Sequence, residues 1–117
     1  MESNALLELT VETLEDLKAR DIEVLDVKKF TTIADYLIVA SGTSGRHVRS
    51  VSERVAEAAK HAGVPPLGIE GKEASEWVLI DLNDVIVHVM QPSVREFYKL
   101  EDLWSVRPST AIETPAE

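Results

Sequence analysis

Cysteine is absent from the 117 residues. That excludes disulfides and thiolate chemistry, and it fits a reducing compartment such as the cytoplasm. No apolar run approaches the roughly 18 residues that span a bilayer, so no membrane partner is expected. The start, MESNALLELTVETLEDL, carries acid where a secretion signal carries base, so no export is indicated. Basic charge is also scarce. Twelve Lys and Arg stand against twenty-one Asp and Glu, a net charge of −9. Such a surface repels phosphate backbones, so little direct RNA contact is expected, while a basic protein would be drawn toward it. The acidity would equally serve plain solubility. Aromatics are few: two each of Trp, Tyr and Phe.

What is present suffices for one domain with one core, since 44% of the residues are hydrophobic. Helical spacing predicts a helix over 6–20, with Leu7, Val11, Leu14 and Leu17 on its apolar side. IEVLDV (22–27) and YLIVAS (36–41) read as strands, the second apolar on both faces as a central strand would be. A helix is expected from about Ser44, with Val48, Val51, Val55, Ala58, Ala59 and Ala62 inward and Gly63 ending it. It should join neighbouring parallel strands. LGIEG (67–71) suggests a short strand, and WVLIDL (77–82) with VIVHVM (85–90) a hairpin turning at Asn83-Asp84. A last helical segment, VREFYKLEDLW, follows Pro92-Ser93, and residues 107–117 read as a mobile tail beyond a domain of 1–106. The expected fold class is α/β, a single domain with a mixed sheet flanked by helices.

One stretch invites an enzymatic reading. In VASGTSGRH (39–47), a strand, two glycines and a helix start follow one another, a layout able to hold phosphate. A phosphate-binding loop of the Walker type would place Lys and then Ser or Thr after its second glycine, where this chain has Arg46 and His47. G-x-G-x-x-G and G-x-S-x-G are absent too. A nucleotidyl-transfer enzyme would need paired carboxylates for magnesium. Asp81 and Asp84 instead flank a turn, the usual place for turn-forming acids. His47 and His61 lie about 20 Å apart along one helix and cannot share a metal. His88 has no second ligand at a metal spacing and reads as a sheet residue. No catalytic, cofactor or metal residue is assigned. A nucleotide-binding enzyme using the 42–45 loop with Ser44, Asp81 and Asp84 is the alternative.

The large side chains suggest another use. Three of the six aromatics, Phe97, Tyr98 and Trp104, fall within QPSVREFYKLEDLW, and Trp77 opens the hairpin. Strand alternation puts Trp77, Leu79 and Asp81 on one face and Val78, Ile80 and Leu82 on the other. A face running from Trp to Asp suits partial exposure. Trp77 reads either as an interface anchor or as part of a small core.

DIEVLDV (21–27), TTIADYLIVASGTSGRHV (31–48), IEG (69–71), EWVLIDLNDVIVHVM (76–90) and REFYKLEDLW (95–104) together resemble the ribosomal silencing factor family (RsfS, also called YbeB or Iojap-like). The resemblance covers about residues 5–105. It implies a nucleotidyltransferase-like fold without the catalytic carboxylates. It also implies a non-enzymatic cytoplasmic factor that binds the large ribosomal subunit through ribosomal protein L-fourteen and keeps the small subunit from joining. Organellar relatives are tied to large-subunit assembly, and free members of the family self-associate. From strand alternation and the matching blocks, the expected contact residues are Glu70, Trp77, Leu79, Met90, Arg95 and Tyr98.

Overall fold

The structure, a computed structural model, describes residues 1–98, with the backbone alone at Tyr98. The expected helical continuation to Trp104 and the tail at 107–117 lie outside the described residues. The elements run α1 (Ser3–Asp16), β1 (Arg20–Asp26), β2 (Tyr36–Ser41), α2 (Gly45–His61), β3 (Gly68–Glu70), β4 (Trp77–Asp81), β5 (Val85–Met90) and α3 (Pro92–Tyr98). They build an α/β domain around a five-stranded mixed sheet of order β1-β2-β5-β4-β3.

Helix α1 starts earlier than the spacing predicts and stops at Asp16 instead of Arg20. Its stop is a Schellman closure: Lys18 adopts φ 65°, its N–H bonds Glu15 O, and Ala19 N–H bonds Leu14 O. Lysine takes the place usually filled by glycine, so the sequence carries no stop signal there. The inward stripe is also rotated. Leu6, Thr10 and Leu14 are buried, while Leu7, Val11 and Leu17 pack at its margin. Thr10 tolerates the interior because its hydroxyl donates to Leu6 O at 2.8 Å. Helix α2 ends by the same closure at Gly63, φ 91°, with Val64 N–H on Ala59 O, as expected from its glycine.

β2 and β5 pair in parallel, and the other three pairings are antiparallel. Helix α2 therefore does not join neighbours. It leads from β2 to β3, and β5 and β4 lie between those strands. The β4–β5 hairpin enters the gap because β5, all but uniformly apolar, can be buried on both faces. The hairpin turns at Asn83 (φ 76°), whose N–H bonds Asp81 Oδ1 at 2.9 Å.

The main core lies between this sheet and helices α1 and α2. Leu6, Leu14, Val48, Val51, Val55 and Ala59 meet Ile38, Ala40, Val78, Ile80, Leu82, Val85, Val87 and Val89. Each full burial of a valine or leucine is worth about 1.5–3 kcal/mol. With one face so covered, the register of every strand is fixed, because a one-residue slip would invert it. The alternate residues of β2, β4 and β5 are thereby set on the opposite face.

Candidate protein-docking face

The glycine loop is a corner, and two of its four amides, those of Gly42 and Thr43, are already used. Gly42 N–H bonds Met90 O at 2.9 Å, Thr43 N–H bonds His47 Nδ1 at 2.9 Å, and His47 N–H bonds the capping Ser44 Oγ at 3.1 Å. Because Nδ1 of His47 accepts, Nε2 bears the proton and donates to Leu17 O at 2.8 Å, tying the corner to the end of α1. A Cβ on Gly42 would come within 2.7 Å of Val48 Cγ2, so glycine here lets helix and strand approach closely. Asp81 is spent on the Asn83 turn. Among the described residues no cluster of His, Asp or Glu is fit to hold a metal ion, and no helix is long and apolar enough to cross a membrane.

The face away from α1 and α2 has a different character. Cross-strand partners share a face, so its rows follow from the register. One row runs Glu70, Leu79, His88, Val39. The next runs Trp77, Met90, Ser41, and a third Asp81, Ile86, Leu37. Over the central strands the row members are buried: Leu37, Val39, Ser41, His88 and Met90. Toward β4 and β3 they open, with Trp77, Leu79, Asp81 and Ile86 half-buried and Glu70 exposed. The segment after β1 folds over the lower edge of this face. Val27 and Ala34 are buried there, and Ile33 stands 72% exposed. Val27, Thr31, Ile33, Ala34, Leu37, Leu79, Ile86 and His88 enclose an apolar pocket of about 160 Å³.

Trp77 and His88 meet beside this pocket. The indole Nε1–H donates to His88 Nδ1 at 2.8 Å, with ring centroids 5.8 Å apart. Burial holds the imidazole down to about pKa 4, hence neutral near pH 7. Trp77 is therefore only half-buried: its polar edge is fixed inside the sheet, and part of the ring reaches solvent.

The loop before Trp77 is clamped from α2. Arg49 donates from Nε to Ser75 Oγ at 3.3 Å and from its guanidinium to the carbonyls of Lys72 and Glu73, each at 3.2 Å. Gln91 adds Nε2–H to Ser75 O at 3.2 Å.

Of the six residues expected from the sequence, Glu70, Trp77 and Leu79 come together on the open part of the face. Met90 does not reach the surface. It is 0% exposed, beside Trp77 in the register. Arg95 is 8% exposed and turns inward, donating to Ser41 Oγ at 3.0 Å. Alternation along β5 put Met90 on this face without showing how deep it lies. The Tyr98 side chain lies outside the described residues. Sequence reasoning missed His88, Ile86 and Ile33 as parts of the face. The first two share the parity of Met90 along β5 and were legible in principle. Ile33 belongs to it only because the segment after β1 folds back.

A family profile described as "Ribosomal silencing factor during starvation" matches residues 1–117. Ribosomal silencing factor RsfS of Chromobacterium violaceum is 45% identical over 113 residues, covering 96% of this chain and 93% of the relative. The RsfS of Haemophilus influenzae is 42% identical, covering 86% of this chain and 99% of its own. A crystal structure of a Chromobacterium violaceum protein superposes with a TM-score of 0.87 at 46% identity, over 89% of this chain and 87% of the other.

Proposed function

This chain belongs to the RsfS family of ribosomal silencing factors, which are non-enzymatic ribosome-binding proteins, and from that premise we propose that it docks on the large ribosomal subunit through ribosomal protein L-fourteen and blocks entry of the small subunit by its bulk. The docking surface is the open part of the sheet face: Glu70, Trp77 and Leu79, extended by Ile86 and Ile33. Its setting is the cytoplasm. No bond is made or broken; whichever partner holds the docking site excludes the other.

The observation that carries this reading is the half-exposure of Trp77 and Leu79 beside an apolar pocket, with the exposed Glu70 adjoining. Tryptophan anchors of this kind hold much of the energy of protein interfaces. A specific interface covers about 800 Å² per partner, so the docked area would extend beyond these residues to their neighbours. Glu70 would meet a Lys or Arg of the partner, and the net charge of −9 favours a basic protein over bare RNA. The same face would serve self-association of the free protein.

The test is sedimentation of ribosomes with and without added protein. The peak of joined ribosomes should fall while the protein travels with the large subunit. An unchanged gradient would refute the proposal.

A further inference from the structure

His88 has two ring nitrogens and one of them is accounted for. Nδ1 accepts the indole proton of Trp77, so in the neutral ring the proton sits on Nε2. That N–H has no hydrogen-bond partner among the described residues, although His88 is 8% exposed and lines the 160 Å³ pocket. A buried donor without an acceptor is costly and uncommon. The remainder of the pocket wall is apolar apart from Thr31, whose hydroxyl oxygen accepts from the Ile33 N–H. A cavity of about 150 Å³ with apolar walls accepts a group the size of benzene. The pocket thus offers a seat for one hydrocarbon side chain, with His88 in its wall.

We propose that His88 is a specificity residue for the docked protein: its Nε2–H, oriented by Trp77, donates to a backbone carbonyl oxygen of a partner loop whose adjacent aliphatic side chain fills the pocket bounded by Ile33, Leu79 and Ile86. This rests on the docking surface proposed above and is continuous with it, since Leu79 belongs to both. The occupant is a protein loop, because carbonyl and hydrocarbon lie side by side along any peptide chain. A nucleic acid offers no aliphatic group larger than a thymine methyl, and the net charge of −9 disfavours its approach. Trp77 then acts twice, as an anchor at the surface and as the group that fixes the tautomer.

The test uses the full chain and isolated large ribosomal subunits. Nitrogen-15 spectra of the free protein should show His88 protonated at Nε2 and bare at Nδ1; the opposite tautomer overturns the inference. His88→Phe keeps a ring of similar size without the donor and should weaken co-sedimentation at least tenfold. Ile33→Asp, at an exposed position where folding is not at stake, sets a charge at the pocket mouth and should weaken it similarly. If wild type binds and a folded His88→Phe binds equally well, the inference falls and the docking surface stands. If His88→Phe does not fold, Ile33→Asp decides alone, and wild-type binding by that variant overturns the pocket's role. If Ile33→Asp only converts a dimer of the free protein to monomer, the occupant is a second copy and the inference is wrong. If wild type itself does not co-sediment, the functional reading fails and takes this inference with it.

Discussion

Gly71 lies against the main chain of Trp77 so closely that a Cβ at residue 71 would collide with the Trp77 carbonyl oxygen, and its φ of 87° is one that side chains rarely adopt. The turn that delivers the tryptophan to the sheet face therefore depends on a residue with no side chain. Gly71→Ala should destabilise the fold by about 1–3 kcal/mol through left-handed strain and the clash. It should also weaken large-subunit binding. Urea unfolding and co-sedimentation measure the two effects separately.

Arg49 acts on the same loop from the opposite element. Arg49→Ala removes its donors to Ser75 Oγ and to the carbonyls of Lys72 and Glu73. The expected cost is about 1 kcal/mol, since the group is exposed and water replaces part of what is lost. Amide exchange should quicken at Ser75, whose N–H bonds Gly71 O, and at Gln91, whose N–H bonds Glu76 O. Unchanged exchange there would show that the clamp contributes nothing.

Trp77→Ala should lower affinity for the large subunit by about 2 kcal/mol or more, roughly thirtyfold, with the sheet retained. A pull-down equal to wild type would place the docking surface elsewhere.

His88 predicts a pH dependence. In the unfolded chain its imidazole takes a proton near pH 6.5, whereas in the fold burial resists this down to about 4. Between those values the unfolded state binds more protons, so stability is fully present above pH 6.5 and declines as pH falls toward 4. The loss from this group approaches about 3 kcal/mol at the lower end. Unfolding of wild type and His88→Phe at pH 7 and at pH 4.5 should show a smaller acid loss in the variant.

Lys18 holds a left-handed conformation at the end of α1. Lys18→Gly should raise stability by about 0.5–1 kcal/mol, because the αL penalty exceeds the added freedom of the unfolded chain. A lower thermal midpoint would show that the lysine makes a compensating contact.

Much of the fold was legible in the residues. Gly63 marked the end of α2, Asn83-Asp84 the hairpin, and the parity of β4 separated Trp77 and Leu79 from Val78 and Ile80. Each of these rests on local stereochemistry. The end of α1 was not legible, because Lys18 does the work of a glycine. Nor was the sheet order, since nothing local says that β5 pairs with β2. The candidate face was half legible for the same reason. Alternation gives the side of a strand a residue is on but not its depth: Met90 is fully buried, Arg95 turns in onto the distant Ser41, and Ile33 is brought up by the segment after β1.

The parallel pairing of β2 with β5 also orders events at birth. The strand at the middle of the sheet is the last to leave the ribosome, so β2 and β4 each wait with a bare edge until residues 85–90 emerge. Premature chains ending before Val85 would carry two unmatched apolar borders and should clump instead of folding by halves. A sheet of this order closes only once its last strand has arrived, so no partial copy ending short of it can present the docking face.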